Sequence, residues 1–174
     1  MILLKSDRVK NTNHLTQEIY DALIELVILS ALKCPCGHVG FHGHGTYVRC
    51  VKLSAIVLHL IVKRVRCPEC GKTHALIPDC LIPWSQIPLE TTVFLVRAGS
   101  TEEINQIMDE QKNITFEDVH NVRLRFRKYW KERMISYGIE YDTDLTDTCI
   151  SLFKRQFMQI RSGCLLRFMQ SNIR

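Results

Sequence analysis

Residues 33–50 read KCPCGHVGFHGHGTYVRC, which places three cysteines and three histidines within eighteen positions. A second cysteine pair follows in CPECGK, residues 67–72. Thiolates at this density are typical of a metal site, and C-x-x-C followed by glycine is a common zinc-knuckle sequence. Two such pairs brought together by a small sheet predict a tetrahedral site that suits a structural zinc ion. Its predicted ligands are Cys34, Cys36, Cys67 and Cys70.

The first pair is the less regular one, because C-x-C is one residue shorter than the usual knuckle. This leaves open whether Cys50, Cys80 or a histidine replaces one of the four ligands.

Gly43 separates His42 from His44 and Gly45 follows, so we expect a glycine-rich loop here. A nuclease that pairs two histidines would need both on one strand around a bulky residue. We expect His74 to be a half-buried histidine rather than a fifth ligand.

The sequence around the cysteine pairs predicts one helix and a three-stranded sheet. The helix spans 15–32, with Thr16 as a candidate cap. Strands at 47–53, 55–65 and 73–77 would form the small antiparallel sheet of a zinc ribbon. Three prolines and Trp84 then mark a connector, which we take as a domain boundary ending at Pro88.

Beyond the connector the pattern is helical. Helices are predicted at 89–98, from a capping box at Ser100 to Gln111, and from the cap Thr115 to Tyr137. A last helix is predicted at 145–160, before a basic tail. The fold class is therefore α+β. Its predicted parts are an N-terminal helix (1–33), a zinc ribbon with connector (34–88), a helix-turn-helix-like domain (89–138) and a C-terminal helix with tail (139–174).

Charge is unevenly distributed along the predicted helices. The net charge is only +5, but residues 102–118 are strongly acidic and residues 123–133 strongly basic. Two helices joined by a short turn, the second of them basic, favour a helix-turn-helix that binds DNA phosphates. A solvated charged face, or a charge match between the two helices, would produce the same pattern. The predicted nucleic-acid contacts are Arg49, Lys63, Arg64 and Arg66 on the ribbon and His120, Asn121, Arg123, Arg127, Lys128 and Lys131 on the third helix.

The composition favours a cytoplasmic protein that is not inserted in a membrane. The apolar run at 22–32 is too short to span a bilayer and contains Glu25. No signal peptide is recognisable. Eight cysteines in such a chain indicate metal ligands or free thiols rather than disulfides.

Two segments resemble a known group of proteins: the H-G-x-Y-x-R pattern at 44–49, and R-V-x-C-x-x-C-G-K-T-H-A-L-x-P at 64–78 with P-W-S at 83–85. They are similar to an uncharacterised bacterial family, found in Firmicutes, with an N-terminal zinc ribbon. Its members are described as transposase-like or mobile-element proteins. The resemblance extends to the zinc-binding region of insertion-sequence transposases, and it implies DNA binding. The C-x-C pair departs from the expected C-x-x-C.

The function expected from these features is non-catalytic DNA binding, associated with mobile elements and with a partner transposase or a second copy of the chain. Transposases with an RNase H fold need three carboxylates on a large sheet, and the acids after Pro88 lie on predicted helices and loops. We therefore expect no enzyme activity. Two alternatives stay open. One is a redox switch, since the cysteine spacing is similar to that in redox-regulated bacterial heat-shock chaperones. The other is a protein-interaction module that docks a transposase or polymerase.

Overall fold

The computed structural model describes residues 1–5 and 12–136, with side chains up to Lys128. These residues fall into two units. The sheet unit contains the described residues of Met1–Cys50 and Leu58–Cys80, and the helical unit contains Val51–Val57 and the described residues from Leu81 onwards. The helix predicted at 145–160 and the basic tail lie outside the described residues.

The first helix, α1, is shorter than predicted. It spans Gln17–Glu25, and a separate 3-10 turn follows at Leu29–Ala31. Thr16 caps α1 as expected, because its hydroxyl accepts the N–H of Ile19. The prediction of one helix to Leu32 was wrong. Its apolar run contains the β-branched residues Val27 and Ile28, and Val27 packs against the sheet core instead of extending the helix.

Four strands form the sheet: β1 (Ile2–Leu4), β2 (His42–Lys52), β3 (Val57–Arg66) and β4 (Thr73–Pro78). Their spatial order is β1-β4-β3-β2. β3 and β4 are antiparallel, with Val65 opposite His74. β1, which was not predicted, runs parallel to β4 and makes the sheet mixed rather than purely antiparallel.

β2 begins earlier than predicted, so the assignment of His42 and His44 to a loop was wrong. Only four residues, 53–56, join β2 to β3, and so short a connection allows only antiparallel pairing. β2 includes the glycine-rich segment from His42, in which Gly45 has a φ of 73°. The position of β2 beside β3 in the sheet outweighs the weak strand propensity of glycine.

Tyr20 of α1 is fully buried and connects the helix to the sheet. Its hydroxyl donates to the carbonyl of Leu76 at 3.0 Å and accepts the backbone N–H of Lys63 at 2.8 Å. It therefore links β3 to β4 beyond the backbone pairing of Arg64–Arg66 with Thr73–Ala75. Burial raises the pKa of Tyr20 to about 12.

The helical unit contains α2 (Leu89–Arg97), α3 (Thr101–Glu110) and α4 (Phe116–Ser136). α2 packs against both α3 and α4. Each predicted cap is present. The Ser100 hydroxyl accepts from the N–H of Glu103, and Thr115 and Asp118 accept from each other's N–H in a reciprocal capping box.

The core of this unit includes residues of the proline-rich connector. Ile82 and Ile87 are buried with Leu95, Val119, Val122 and their neighbours. For this reason the helical unit begins at Leu81 in the structure, whereas the sequence placed the boundary at Pro88. The 51–57 segment also belongs to it. Lys52 pairs with Asp118 at 2.6 Å, and the Asn113 amide donates to the carbonyl of Leu53.

Candidate metal centre

Both cysteine pairs lie in tight turns whose shape depends on glycine. In the first turn the N–H of Gly37 donates to the carbonyl of Cys34 at 2.9 Å. In the second, the N–H of Gly71 donates to the carbonyl of Cys67 at 3.0 Å. Gly37 and Gly71 have φ angles of 99° and 66°, a region that other residues rarely adopt. The short C-x-C segment thus closes a turn as the longer C-x-x-C segment does.

The tertiary fold brings all four predicted cysteines together. Their Sγ atoms all lie within 4.8 Å of one another. Two close pairs each join one turn to the other: Cys34 to Cys70 at 3.7 Å and Cys36 to Cys67 at 3.7 Å. A tetrahedron with zinc–sulfur distances of about 2.3 Å has sulfur–sulfur edges of about 3.8 Å. The four side chains therefore lie close enough together to hold a metal ion, and two of their sulfur–sulfur distances are near this value.

The four thiols differ in exposure and acidity. Cys67 and Cys34 are buried, Cys70 is half-buried and Cys36 is exposed. Burial raises the pKa of Cys34 to about 12. The pKa of Cys70 falls to about 7, because a backbone hydrogen bond from Lys72 stabilises its thiolate. A metal ion that binds here must displace protons, as thiolate sites generally require.

His74 contacts the cysteine cluster without belonging to it. Its Nε2 lies 3.6 Å from Sγ of Cys34, and its Nδ1 lies 3.0 Å from the amino nitrogen of Met1. The ring is 6% exposed and packs edge-on against Phe41, with centroids 5.3 Å apart. Burial lowers the pKa of His74. The sequence predicted a half-buried histidine here, and the structure adds its contact with a predicted ligand.

The other ligand-type residues lie outside the cluster. Cys50 and Cys80 are half-buried and are not part of it. His42 and His44 are exposed on β2. Within residues 1–5 and 12–128, the four cysteines form the only group of three or more His, Cys, Asp or Glu side chains placed to hold a metal ion.

The basic residues predicted on the ribbon have different environments. Lys63 is exposed on β3, and Arg66 is exposed with its Nε donating to the carbonyl of Gly71 at 3.2 Å. Arg64 is half-buried, and its Nε is buried without a hydrogen-bond partner. Arg49 is 9% exposed, and burial lowers its pKa. Of the four, Lys63 and Arg66 are the ones that present their side chains to solvent.

The predicted contacts on α4 also divide by exposure. His120, Arg127 and Lys128 are exposed, and Asn121 is half-buried. Arg123 instead donates to the carbonyls of Leu95 and Ala98, at 3.3 and 2.6 Å, and so caps the C-terminal end of α2. Lys131 lies on α4, with its side chain outside the described part of the chain.

Trp84 is a feature that the sequence marked only as part of the connector. Its side chain is 87% exposed, and its backbone has a φ of 66°, a conformation unfavourable for a bulky residue. The surrounding turn is fixed by Ser85, whose N–H donates to the carbonyl of Ile82 and whose hydroxyl bonds the backbone of Ile87. No sequence pattern signals the left-handed conformation of Trp84, since tryptophan rarely adopts it.

Both cysteine pairs lie in a stretch of the chain that is similar to a known protein family. Residues 34–117 match the family model of a domain of unknown function (DUF6431). The match covers both cysteine pairs, β2 to β4, α2 and α3, and it ends in the first turn of α4. The basic part of α4 lies beyond it. No curated protein and no solved structure matches the chain.

Within residues 1–5 and 12–136, no helix is both long enough and apolar enough to cross a bilayer.

Proposed function

We propose that this protein is a non-catalytic DNA-binding protein whose sheet unit is stabilised by a structural zinc ion. Four thiolates in a tetrahedral arrangement favour zinc among the common metals, and a site closed by four protein ligands is typical of structural rather than catalytic zinc. The single observation that carries the metal part is the sulfur geometry: all four Sγ atoms lie within 4.8 Å of one another, and two pairs lie at 3.7 Å. We expect the protein to act in the cytoplasm, where thiols stay reduced.

The DNA-binding part of the proposal rests on α4. Its buried stripe of Val119, Val122 and Phe126 packs in the helical core, which leaves the opposite face to solvent. That face carries His120, Arg127 and Lys128. α4 follows α3 after the short 111–115 connection, which is the helix order of a helix-turn-helix. In that motif the second helix contacts the major groove.

Two residues limit which side chains take part. Arg123 hydrogen-bonds α2, and Arg49 is buried, so we leave both out of the proposed interface. Asp118 is engaged by Lys52 and Thr115, which leaves Glu117 as the exposed acid of the first turn of α4.

On the sheet unit, Lys63 and Arg66 form a second proposed phosphate-binding surface. The resemblance to transposase zinc-binding regions supports DNA as the partner, with a separate transposase or a second copy as a possible protein partner.

A salt titration with two matched double variants tests the α4 interface. R127Q/K128Q removes two exposed charges from α4, and R97Q/K112Q removes two exposed charges elsewhere in the helical unit. Fluorescence anisotropy with a labelled duplex at rising salt gives the slope of log K against log salt. Each lost phosphate contact lowers that slope by about 0.9, so we expect R127Q/K128Q to lower it by about 2 and R97Q/K112Q to leave it unchanged. Equal effects of the two variants, or no duplex binding at low salt, would overturn the assignment of α4.

A redox switch is a second candidate, because one ligand is open to solvent. Cys36 is exposed, and its sulfur lies 3.7 Å from that of Cys67. A peroxide would oxidise the two thiols to a disulfide, taking two electrons and two protons and leaving as two molecules of water. Titration of the zinc-loaded protein with peroxide, followed by a zinc indicator, tests this. Release of zinc under mild oxidation supports the switch, whereas retention of zinc removes it.

A further inference from the structure

The buried sulfur of Cys34 lies beside a side-chain nitrogen, that of His74. Cys34 is 3% exposed, so water has little access to its thiolate. Nε2 of His74 lies 3.6 Å away, within the range of an N–H···S hydrogen bond. A metal-bound thiolate carries no proton, so any hydrogen bond between these two atoms must have the histidine as donor.

The position of His74 is fixed by the fold rather than by the metal. The residue lies on β4, opposite Val65 of β3, and its ring is held edge-on by Phe41. The amino nitrogen of Met1 lies 3.0 Å from Nδ1 of His74, within hydrogen-bond distance. An amine that donates to Nδ1 leaves the ring proton on Nε2. Packing and tautomer therefore both direct an N–H group towards Cys34.

Four thiolates around a divalent ion leave a net charge of −2. Buried negative charge is costly unless hydrogen-bond donors face it. Cys70 has the Lys72 backbone amide for this purpose, and Cys36 is open to water. His74 is the side-chain donor that the structure places against the buried Cys34.

We propose that His74 is a positioning residue of the metal centre, and that it holds the Cys34 thiolate in place by donating its Nε2–H to Sγ. This inference rests on the zinc part of the proposed function. It deepens that part by assigning a role to a residue outside the four ligands. The hydrogen bond offsets part of the negative charge on the Cys34 sulfur and lowers its basicity, and so slows the protonation that accompanies departure of this sulfur from the metal.

Substitutions at residue 74 separate the donor role from the packing role. H74F keeps a ring against Phe41 but removes the N–H group. H74Q places an amide N–H near the position of Nε2. H59F alters an exposed histidine of β3 and serves as the control. The readout is the rate at which the zinc-loaded full chain transfers its metal to a chromogenic chelator.

Loss of a hydrogen bond to a metal ligand weakens metal binding by roughly 10- to 100-fold. We expect H74F to release zinc at least about 10-fold faster than the unaltered protein. We expect H74Q to recover most of this loss and H59F to leave the rate unchanged. A rate for H74F equal to that of H59F would overturn the proposal. Rapid release from H74Q and H74F alike would also overturn it, since packing alone would then explain the effect.

A measurement on the unaltered protein keeps the inference testable even if H74F does not fold. In the ¹¹³Cd-substituted chain, an N–H···S bond to a ligand sulfur transmits a scalar coupling between cadmium and the imidazole proton. A coupling to Hε2 of His74 supports the proposal. Cadmium bound in a four-thiolate environment without such a coupling overturns it and leaves the metal centre intact. A chain that binds no cadmium contradicts the metal centre itself, and the role of His74 with it.

Discussion

Replacing Tyr20 by phenylalanine removes one oxygen atom from the fully buried contact between α1 and the sheet. Two hydrogen bonds are lost: one to the carbonyl of Leu76 and one from the N–H of Lys63. Each is worth about 1 kcal/mol net, and a buried group left without a partner costs about 1–3 kcal/mol. Leu76 is 1% exposed, so water is poorly placed to replace the lost donor. We expect Y20F to lower the free energy of unfolding of the sheet unit by about 2–3 kcal/mol.

Gln17 provides the comparison. Its side chain also bonds the sheet, accepting the N–H of Ile61 at 2.8 Å and donating to its carbonyl at 3.3 Å, but both bonds are exposed. Because water can replace them, we expect Q17M to cost less than about 1 kcal/mol. Urea unfolding of the cobalt-loaded protein, at fixed free metal and followed by the thiolate-to-cobalt absorption band, reports on the sheet unit. If Y20F costs no more than Q17M, burial does not determine the strength of these bonds and the reasoning is refuted.

The same phenol gives a pH dependence with a definite sign. Burial raises the pKa of Tyr20 to about 12 from an ordinary value of 10.0, so the folded state favours the protonated phenol. The contribution of the buried phenol to the stability of the fold is fully present below the ordinary pKa of 10.0. It is lost as pH rises towards 12. Y20F should remove this part of the alkaline loss of stability. An identical alkaline profile for Y20F would show that other groups are responsible.

Three further outcomes are expected. C67S should lose its bound zinc and the fold of the sheet unit, whereas C50S should retain one zinc per chain by elemental analysis, and retention of zinc by C67S would exclude Cys67 as a ligand. Burial raises the pKa of Asp118, but the hydrogen bonds from Lys52 and Thr115 outweigh it and lower the pKa overall. The Asp118 carboxylate thus stabilises the helical unit at pH values above its ordinary pKa of 3.8. This stabilisation is lost as pH falls below that pKa. D118N should cost about 1 kcal/mol at pH 7 and flatten the acid limb of the stability curve; an unchanged acid limb would contradict this. W84G should be more stable than W84A by about 1 kcal/mol in thermal unfolding, the reverse of the usual order, because only glycine adopts the φ of 66° without strain. W84A at least as stable as W84G would show that the backbone there is unstrained.

Local chemistry made several features predictable from the sequence. Each cysteine pair needs only a tight turn and a following glycine, and those residues are adjacent in the chain. The caps at Thr16, Ser100 and Thr115 were predictable for the same reason, since a cap and its partner lie three residues apart. The α+β class followed from the change of hydrophobic period between the sheet and the helices.

The role of each charged residue on α4 was much less predictable. Arg123, Arg127 and Lys128 look alike in sequence, because all lie on the polar side of one helix. In the structure Arg123 satisfies carbonyls at the end of α2, whereas the other two are exposed. The difference depends on where the last turn of α2 packs, which no local pattern encodes.

The sequence by itself predicted a cluster of Cys34, Cys36, Cys67 and Cys70 from their spacing and following glycines, but it left open whether Cys50, Cys80 or a histidine replaces one of them. Only the tertiary structure decided what surrounds them. β1 pairs with a strand more than seventy residues away in sequence, and β4 turns His74 towards Cys34. A three-residue strand and a single histidine carry no periodic signal, since their conformation is set by partners distant in the chain. The unequal environments of the four sulfurs therefore arise from the packing of the sheet.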